Sequence, residues 1–256
     1  MKKVLKNFAL FSLVLLNGFY LSSCGDKEDD LITDPQTQAK ITATASTSTA
    51  TLPNSRMAVG AFTVTQFTVG TQNVEMKYFA KADLTAGISL GNLQSKTILN
   101  ANLQKTASSK KSNVLITGGK SQFSLIGEGT TPEGNYTEAT FKLYKNAGAN
   151  ANDPMFQKSV LITGTINGKI TQFWTESEKM LRASTKTSTG VELNQNTEVV
   201  LVFEMDKLFA GVDFTKAMDA NGDGRIEISP SSPDGNAAIF SKIEANMESA
   251  VSLRKR

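Results

Sequence analysis

Hydrophobic and polar residues alternate one by one along much of the body of the chain. Val74, Met76 and Tyr78 alternate with Glu75 and Lys77, and residues 139–143 repeat the pattern. Alternation of this kind predicts strands with one buried and one exposed face. Many such short strands, separated by Gly and Asn turns, predict a mainly β domain. We expect an antiparallel β-sandwich, or a barrel-like variant of it.

Local signals refine this prediction. The alternation changes phase between Val64 and Phe67, which predicts a β-bulge. Asn167-Gly168 between two alternating runs predicts a type I′ hairpin turn. The continuous apolar run 199–203 predicts a central strand buried on both faces. Pro-x-Gly-x-Tyr at 132–136 predicts a turn that leads into a strand, with the tyrosine bonded back to the turn.

The end of the chain follows a different period. Apolar residues recur at steps of three and four between 239 and 251, which predicts an amphipathic helix over 236–253. Asp234 and Asn236 are expected to cap its start, and the basic residues 254–256 suit its negative end. We expect this helix to pack on the sheet.

The first residues of the chain have the features of a protein-export signal. Lys2, Lys3 and Lys6 form a basic start, an apolar run follows at 8–16, and Leu21-Ser-Ser-Cys24 comes next. This pattern predicts a signal peptide over 1–23. The tetrapeptide resembles the lipobox of bacterial lipoproteins. The resemblance implies cleavage between Ser23 and Cys24 and fatty acylation of Cys24, so that the mature protein is held on a membrane without crossing it.

The residues after Cys24 indicate where in the cell the protein is attached. Lys27 with the acidic cluster at 26–30 resembles the export signal of surface-exposed lipoproteins in some Gram-negative bacteria. That resemblance implies attachment to the outer membrane, facing the cell exterior. The polar composition of 24–56 predicts a flexible tether. Its Thr-rich part, 39–52, has strand propensity and leaves an added edge strand open as an alternative. The folded body is then expected over 57–256.

Composition removes several classes of function. The chain has no histidine and one cysteine, which excludes a Ser-His-Asp triad, His-ligated metals and an intramolecular disulfide. Its formal charge of +3 comes from 27 basic and 24 acidic residues. The three lysines of the leader account for this excess, which leaves 24 residues of each sign. No nucleic-acid partner is predicted, because the rest of the chain has no net basic charge.

One segment has the spacing of a cation site. Residues 219–228, Asp-Ala-Asn-Gly-Asp-Gly-Arg-Ile-Glu-Ile, resemble the first half of an EF-hand or dockerin calcium loop. In such loops oxygens at positions 1, 3 and 5 converge on the ion, Gly at position 6 allows the turn, and the position-7 carbonyl also binds. The resemblance implies a structural Ca²⁺ as cofactor. The candidate ligands are Asp219, Asn221, Asp223, the carbonyl of Arg225, and Glu227.

The calcium-type loop, 219–230, departs from the family pattern at position 12, where Pro230 replaces the bidentate glutamate. Asp213 or Asp234 is then the candidate for the last oxygen. The alternative interpretation is a turn rich in Asp, Asn and Gly that holds no ion.

Other candidate sites are weaker. Trp174, the only tryptophan, is a possible stacking surface for a sugar, although a half-buried core position is the simpler interpretation. Glu176 and Glu178 have the spacing of a carboxylate pair, but charged residues beside a loop are usually just solvated.

The Pro-x-Gly-x-Tyr turn, the hairpin and the acidic loop together resemble uncharacterised β-sandwich lipoproteins that carry domains of unknown function. No catalytic residue follows from that resemblance. We expect a lipid-anchored, non-catalytic binding or structural module with a glycan or protein partner. The alternatives are a secreted hydrolase that uses carboxylates, or a subunit of an envelope assembly.

Overall fold

The computed structural model describes residues 35–48, 56–80, 99–102, 110–195 and 197–256, which belong to one compact unit. The strands in these residues are β1 (Gln36–Ser46), β2 (Ala58–Val59), β3 (Phe62–Ala80), β4 (Leu99–Asn102), β5 (Lys111–Thr117), β6 (Lys120–Ser121), β7 (Ser124–Pro132), β8 (Gly134–Leu143), β9 (Val160–Ile166), β10 (Lys169–Thr175), β11 (Met180–Ser184), β12 (Val191–Leu193), β13 (Glu198–Glu204), β14 (Arg225–Ile228) and β15 (Val251–Lys255). The helices are α1 (Met205–Leu208), α2 (Ala237–Asn246) and a 3₁₀ turn, Phe214–Lys216.

The predicted mainly β fold is confirmed. The main path of the sheet runs β14-β10-β9-β3-β8-β11-β15-β13-β1-β7, and the five short or branching strands pair beside it. Most pairs are antiparallel, as predicted. Three are parallel: β1 with β13, β10 with β14, and β11 with β15. The sheet is therefore mixed.

The sheet folds over on itself in the manner of a β-sandwich. Phe203 of β13 contacts Phe67 of β3 and Phe141 of β8, with ring centres 5.3 Å and 6.0 Å apart. β13 is a hydrogen-bonded neighbour of neither strand, so these contacts cross the core. Strand β3 is 19 residues long, and its register shifts between Val64 and Gln66, where the sequence predicted a bulge.

Three further local predictions are confirmed. Asn167 and Gly168 both have positive φ, 50° and 80°, as a type I′ turn between β9 and β10 requires. Strand β13 is buried on both faces from Val199 to Glu204. Tyr136 is fully buried, and its hydroxyl donates a 2.6 Å hydrogen bond to the carbonyl of Pro132.

The prediction of a flexible tether over 24–56 is wrong for residues 36–46. They form β1, which lies between β13 and β7, so it is neither a tether nor an edge strand. Ile41, Ala43 and Ala45 are almost completely buried. The low content of large apolar residues suggested a tether. A strand with a neighbour on each side is held by its backbone hydrogen bonds, however, and small side chains are then enough to fill the space beside it. The folded body therefore begins before residue 57, while 24–34 and 49–55 lie outside the described residues.

The helix predicted over 236–253 is wrong in its last part. Helix α2 ends at Asn246, residues 247–250 turn, and the chain returns as β15. Val251, assigned by its spacing to a helix face, and Leu253, inside the predicted helix range, are buried strand residues. These residues form a strand and not a helix because the backbone N–H and C=O groups of the interior strand β13 need hydrogen-bond partners. Strand β15 supplies them. The basic residues 254–256 consequently do not lie at a helix end.

Candidate calcium loop and basic surface

The acidic loop lies between the 3₁₀ turn and β14, and its own side chains hold it in a tight turn. Asp219 Oδ2 accepts a hydrogen bond from the backbone N–H of Gly224 at 3.1 Å. Asn221 Oδ1 accepts one from Asp223 at 3.0 Å, and Asp223 Oδ1 accepts one from Arg225 at 2.9 Å. Gly224 has a φ of 85°, a left-handed conformation that favours glycine. The turn is the one that the residue spacing predicts.

Two buried residues that precede α2 hold both ends of this loop. The Asp234 carboxylate accepts backbone N–H groups of Asn221 at 3.3 Å and of Glu227 at 2.7 Å. The Asn236 amide donates to the carbonyls of Met218 at 2.8 Å and Glu227 at 2.9 Å, and it accepts the N–H of Met218 at 3.1 Å. The loop is thus shaped by protein groups before any ion is considered.

These bonds change the expected roles of both residues. Asn236 occupies the N-cap position of α2, but its side chain makes no capping hydrogen bond there. Asp234 was a candidate for the last calcium oxygen, yet each of its oxygens already accepts a backbone N–H. The other candidate, Asp213, accepts the N–H and hydroxyl of Thr215 and pairs with Lys216 at 3.5 Å.

Asp219 is the loop carboxylate whose free oxygen is buried. Its side chain is only 4% exposed, and Oδ1 is buried without a hydrogen-bond partner in the described part of the chain. Oδ2 contacts the ammonium of Lys169 at 3.0 Å. The hydrogen bond from Lys169 lowers the pKa of Asp219 below its usual value, and partial burial opposes that shift. A buried oxygen of an ionised carboxylate without a partner is costly.

Acidic side chains alone do not complete a metal site. Within the described ranges, no three His, Cys, Asp or Glu side chains lie close enough together to hold an ion. An ion at the loop would therefore rely on the amide oxygen of Asn221 and the carbonyl of Arg225 as well as on carboxylates. Fewer charged ligands give a weaker calcium site.

Trp174 and the glutamates that follow it lie on the β10 side of the fold. Trp174 is half-buried, and Lys158 Nζ lies 5.6 Å from the centre of its ring. A sugar that stacked on this face would compete with that ammonium. Glu176 pairs with Lys145, and Glu178 pairs with Lys142 at 3.4 Å. These contacts are those of exposed ion pairs.

A feature that sequence analysis missed lies where β11, α1 and β15 meet. The exposed side chains of Arg182, Lys186, Lys207, Arg254 and Lys255 form what we call the basic surface. These five residues are spread over more than seventy positions, and only Arg254 and Lys255 belong to a local basic run, which the sequence analysis assigned to a helix end. Only the parallel pairing of β11 with β15, and the passage of β13 into α1, brings them together.

One carboxylate anchors this surface. Glu204, with a side chain 11% exposed, contacts Lys207 Nζ at 2.8 Å, Lys186 Nζ at 3.6 Å and the guanidinium of Arg254. Burial alone would raise the pKa of Glu204, but hydrogen bonds from Lys207, Ser252 and Arg254 outweigh burial and lower that pKa to about 2. Glu204 is therefore ionised at neutral pH, and its single charge faces three cations.

Two adjoining grooves shape the surface. A groove of about 540 Å³ has Arg182, Lys186 and Lys207 on its walls, and a second of about 440 Å³ is lined by Arg254 and Lys255. The grooves share Thr185 and Lys186. The first is also lined by the hydroxyl residues Ser184, Ser249 and Ser252 and by one acidic residue, Glu248. The second contains Glu192.

The lipid-attachment residues Ser23 and Cys24 lie outside the described residues, so their role stays a sequence prediction. None of the helices in the described ranges has the length and hydrophobicity of a membrane span.

Comparison with known proteins gives a limited result. No protein-family model and no curated protein sequence matches this chain. A solved structure that resembles it is MbnP from Methylosinus trichosporium, at 10% sequence identity and a TM-score of 0.41. The match covers 88% of this chain and 99% of that one. No residue of this chain takes a role from that likeness.

Proposed function

We propose that the mature chain is a lipid-anchored, non-catalytic binding module that a bacterial cell carries on its outer membrane, facing outwards. The observation that supports the anchor is Leu21-Ser-Ser-Cys24 behind a basic start and an apolar run. Cys24 is the only thiol in the chain. Each buried CH₂ contributes about 0.8 kcal/mol, so two or three acyl chains bind a membrane durably.

Metabolic labelling with a fatty acid tests the anchor. We expect the wild-type chain to take up label and the Cys24→Ala variant to take up none. The Ser22→Ala variant, which keeps a small residue at that position, serves as the matched control and should label like wild type. Equal labelling of wild type and Cys24→Ala would contradict the proposal.

A binding role suits the body better than hydrolysis by a carboxylate pair. The two glutamates that sequence analysis considered, Glu176 and Glu178, are each tied to a lysine, whereas the basic surface offers grooves of ligand size. The partner is then a glycan or a protein. The full chain on a glycan array should retain its ligand at unchanged length. Release of new reducing ends would contradict a non-catalytic role.

We further propose that the loop at 219–227 holds a structural Ca²⁺. The buried, unpartnered Oδ1 of Asp219 supports this, because a hard cation is the partner that such an oxygen lacks. Asn221, Asp223, the Arg225 carbonyl and Glu227 are the other candidate ligands. The ion would neutralise the loop carboxylates. With so few charged ligands we expect a dissociation constant of about 0.1–1 mM, as in extracellular calcium modules.

Thermal melting of the full chain with calcium and with chelator tests this site. At about ten times the dissociation constant, calcium adds about 1.4 kcal/mol and raises the midpoint by about 3–5 °C. Asp219→Asn, which keeps the shape of the side chain, should abolish the shift. Asp153→Asn removes one carboxylate elsewhere and should leave the shift intact. An absent shift, or an equal one in Asp219→Asn, would contradict the calcium site.

A further inference from the structure

The basic surface gathers five exposed cations in one place on a body whose own net charge is small and positive. Glu204 balances only one of the three cations that contact it. Arg182 is 58% exposed and shares Glu138 with Lys77, so its neutralisation is also partial. Residues 35–256 contain 23 basic and 19 acidic residues, so five cations around one carboxylate concentrate the modest positive charge of the body in one place. A cluster of this kind favours an anionic partner.

The residues that line the grooves indicate which class of anion binds there. Ser184 and Ser249 supply exposed hydroxyl groups beside the cations, and hydroxyl groups both donate and accept hydrogen bonds, whereas the buried Ser252 hydroxyl already donates to Glu204. None of the described residues that line either groove is aromatic. Proteins that hold single-stranded nucleic acid stack its bases on aromatic side chains, so this lining does not favour such a ligand. Cations mixed with hydroxyls suit a partner that alternates acidic groups with hydroxyls.

The arrangement of the grooves indicates a chain and not a single small anion. The grooves meet at Thr185 and Lys186, and cations lie on both sides of that junction. Successive acidic groups of one polymer can therefore each meet a cation. Glu192 and Glu248, one in each groove, would repel a densely charged polymer and so favour one with spaced charges.

We infer that the basic surface binds an acidic polysaccharide, whose carboxylate or sulfate groups contact Lys186, Lys207 and Arg254 while its hydroxyls meet Ser184 and Ser249. This inference rests on the proposed binding role of the body and names its ligand class. It depends neither on the lipid at Cys24 nor on calcium, so the tests of those proposals have separate outcomes.

The test measures binding of the full chain with Cys24→Ala, which carries no lipid and needs no detergent, to four immobilised probes: polygalacturonate as the carboxylate source, dextran sulfate as the sulfate source, neutral dextran, and vesicles that contain phosphatidylglycerol. We expect binding to polygalacturonate or to dextran sulfate, or to both, and the two arms distinguish the acidic group. Binding should weaken as salt rises from 50 to 500 mM, because salt screens exposed charges. Binding to vesicles alone, or equal binding to neutral dextran, would overturn the inference.

Charge-removing variants connect the binding to this surface. Lys186→Gln/Lys207→Gln should weaken binding about fivefold or more, since both cations are exposed and line the grooves. Lys145→Gln/Lys216→Gln removes the same charge and the same number of paired lysines elsewhere, and it should change affinity less than about twofold. Lys186→Arg/Lys207→Arg should retain binding.

Melting curves of each variant show whether a loss of binding comes from a folding defect. Lys186→Gln alone removes only the longest of the three contacts to Glu204, 3.6 Å, and should melt like wild type while it weakens binding about twofold to threefold. Equal affinity of the groove and control double variants would overturn the assignment of the site, while leaving a binding role for another surface.

Discussion

The carboxylate of Asp234 accepts the backbone N–H of Glu227 at 2.7 Å, and this bond covers the free side of strand β14. Strand β14 ends the main path of the sheet, and β10 is the one strand that pairs with it among the residues that the structure describes. The amide of Asn236 donates to the Glu227 carbonyl at 2.9 Å, so two side chains take the place of a further strand. An open strand edge invites pairing with other chains, and this arrangement blocks it.

We therefore expect Asp234→Ala to destabilise the protein more than a substitution at an exposed position of the same loop. Asp234 is fully buried, and the change leaves the N–H groups of Asn221 and Glu227 without an acceptor. We expect a loss of about 2–4 kcal/mol in the free energy of unfolding, measured by urea denaturation in chelator. Asp223→Ala, an exposed change in the same loop, should cost less than about 1 kcal/mol. Similar losses for the two variants would contradict the structural role of Asp234.

Glu204 should make stability depend on acid pH. Its folded pKa of about 2 lies below the ordinary value of 4.5, so its contribution is complete above pH 4.5 and is lost as pH falls toward 2. We expect about 2 kcal/mol to disappear over that window, allowing for solvent screening of the exposed lysines. Glu204→Gln should lose stability at pH 7 and flatten the profile in this window. Glu178→Gln, at an exposed pair, should leave the profile unchanged.

Lys169 should compete with calcium. Its ammonium lies 3.0 Å from Asp219 Oδ2, so it repels a second cation at the loop. Lys169→Gln should raise calcium affinity about threefold to tenfold, measured from the dependence of the melting midpoint on calcium concentration. Lys120→Gln, at an exposed position of β6, should not change affinity. Unchanged affinity in Lys169→Gln would place the ion, if any, away from Asp219.

The hydroxyl of Tyr136 should contribute measurably to folding. It donates to the Pro132 carbonyl at 2.6 Å and lies 2.7 Å from the hydroxyl of Thr131, all within the core. Tyr136→Phe should lower the free energy of unfolding by about 1–2 kcal/mol. Tyr144→Phe, which loses only a 3.4 Å contact to Asn146, should lower it by less than about 0.5 kcal/mol. The order of the two losses is the result to check.

Sequence predicted those elements whose signal lies in neighbouring residues. The Asn167-Gly168 turn and the bond from Tyr136 to its own turn depend on contacts a few residues apart, and the buried strand β13 is marked by a continuous apolar run. The turn of the acidic loop belongs to the same group, because Asp219 and Gly224 satisfy each other locally. Such signals need no knowledge of the rest of the fold.

Elements decided by distant partners were not predicted. Strand β1 is ordered by pairing with β13, some 160 positions later in the chain, whereas its Thr-rich composition indicated at most an added edge strand. β15 is a strand because β13 needs a neighbour, although its apolar spacing also suits a helix. The cations around Glu204 converge through the same long-range pairing. Tertiary contacts override local propensity at each of these places.

Mass spectrometry of the N-terminal peptide of native, membrane-extracted protein tests the central claim most directly. We predict that the peptide begins at Cys24 and carries the added mass of a diacylglycerol, with a further acyl group on its amino end where the host performs that step. A peptide that contains an unmodified Cys24 still joined to Ser23 would contradict the anchor and with it the proposed place of this protein in the cell.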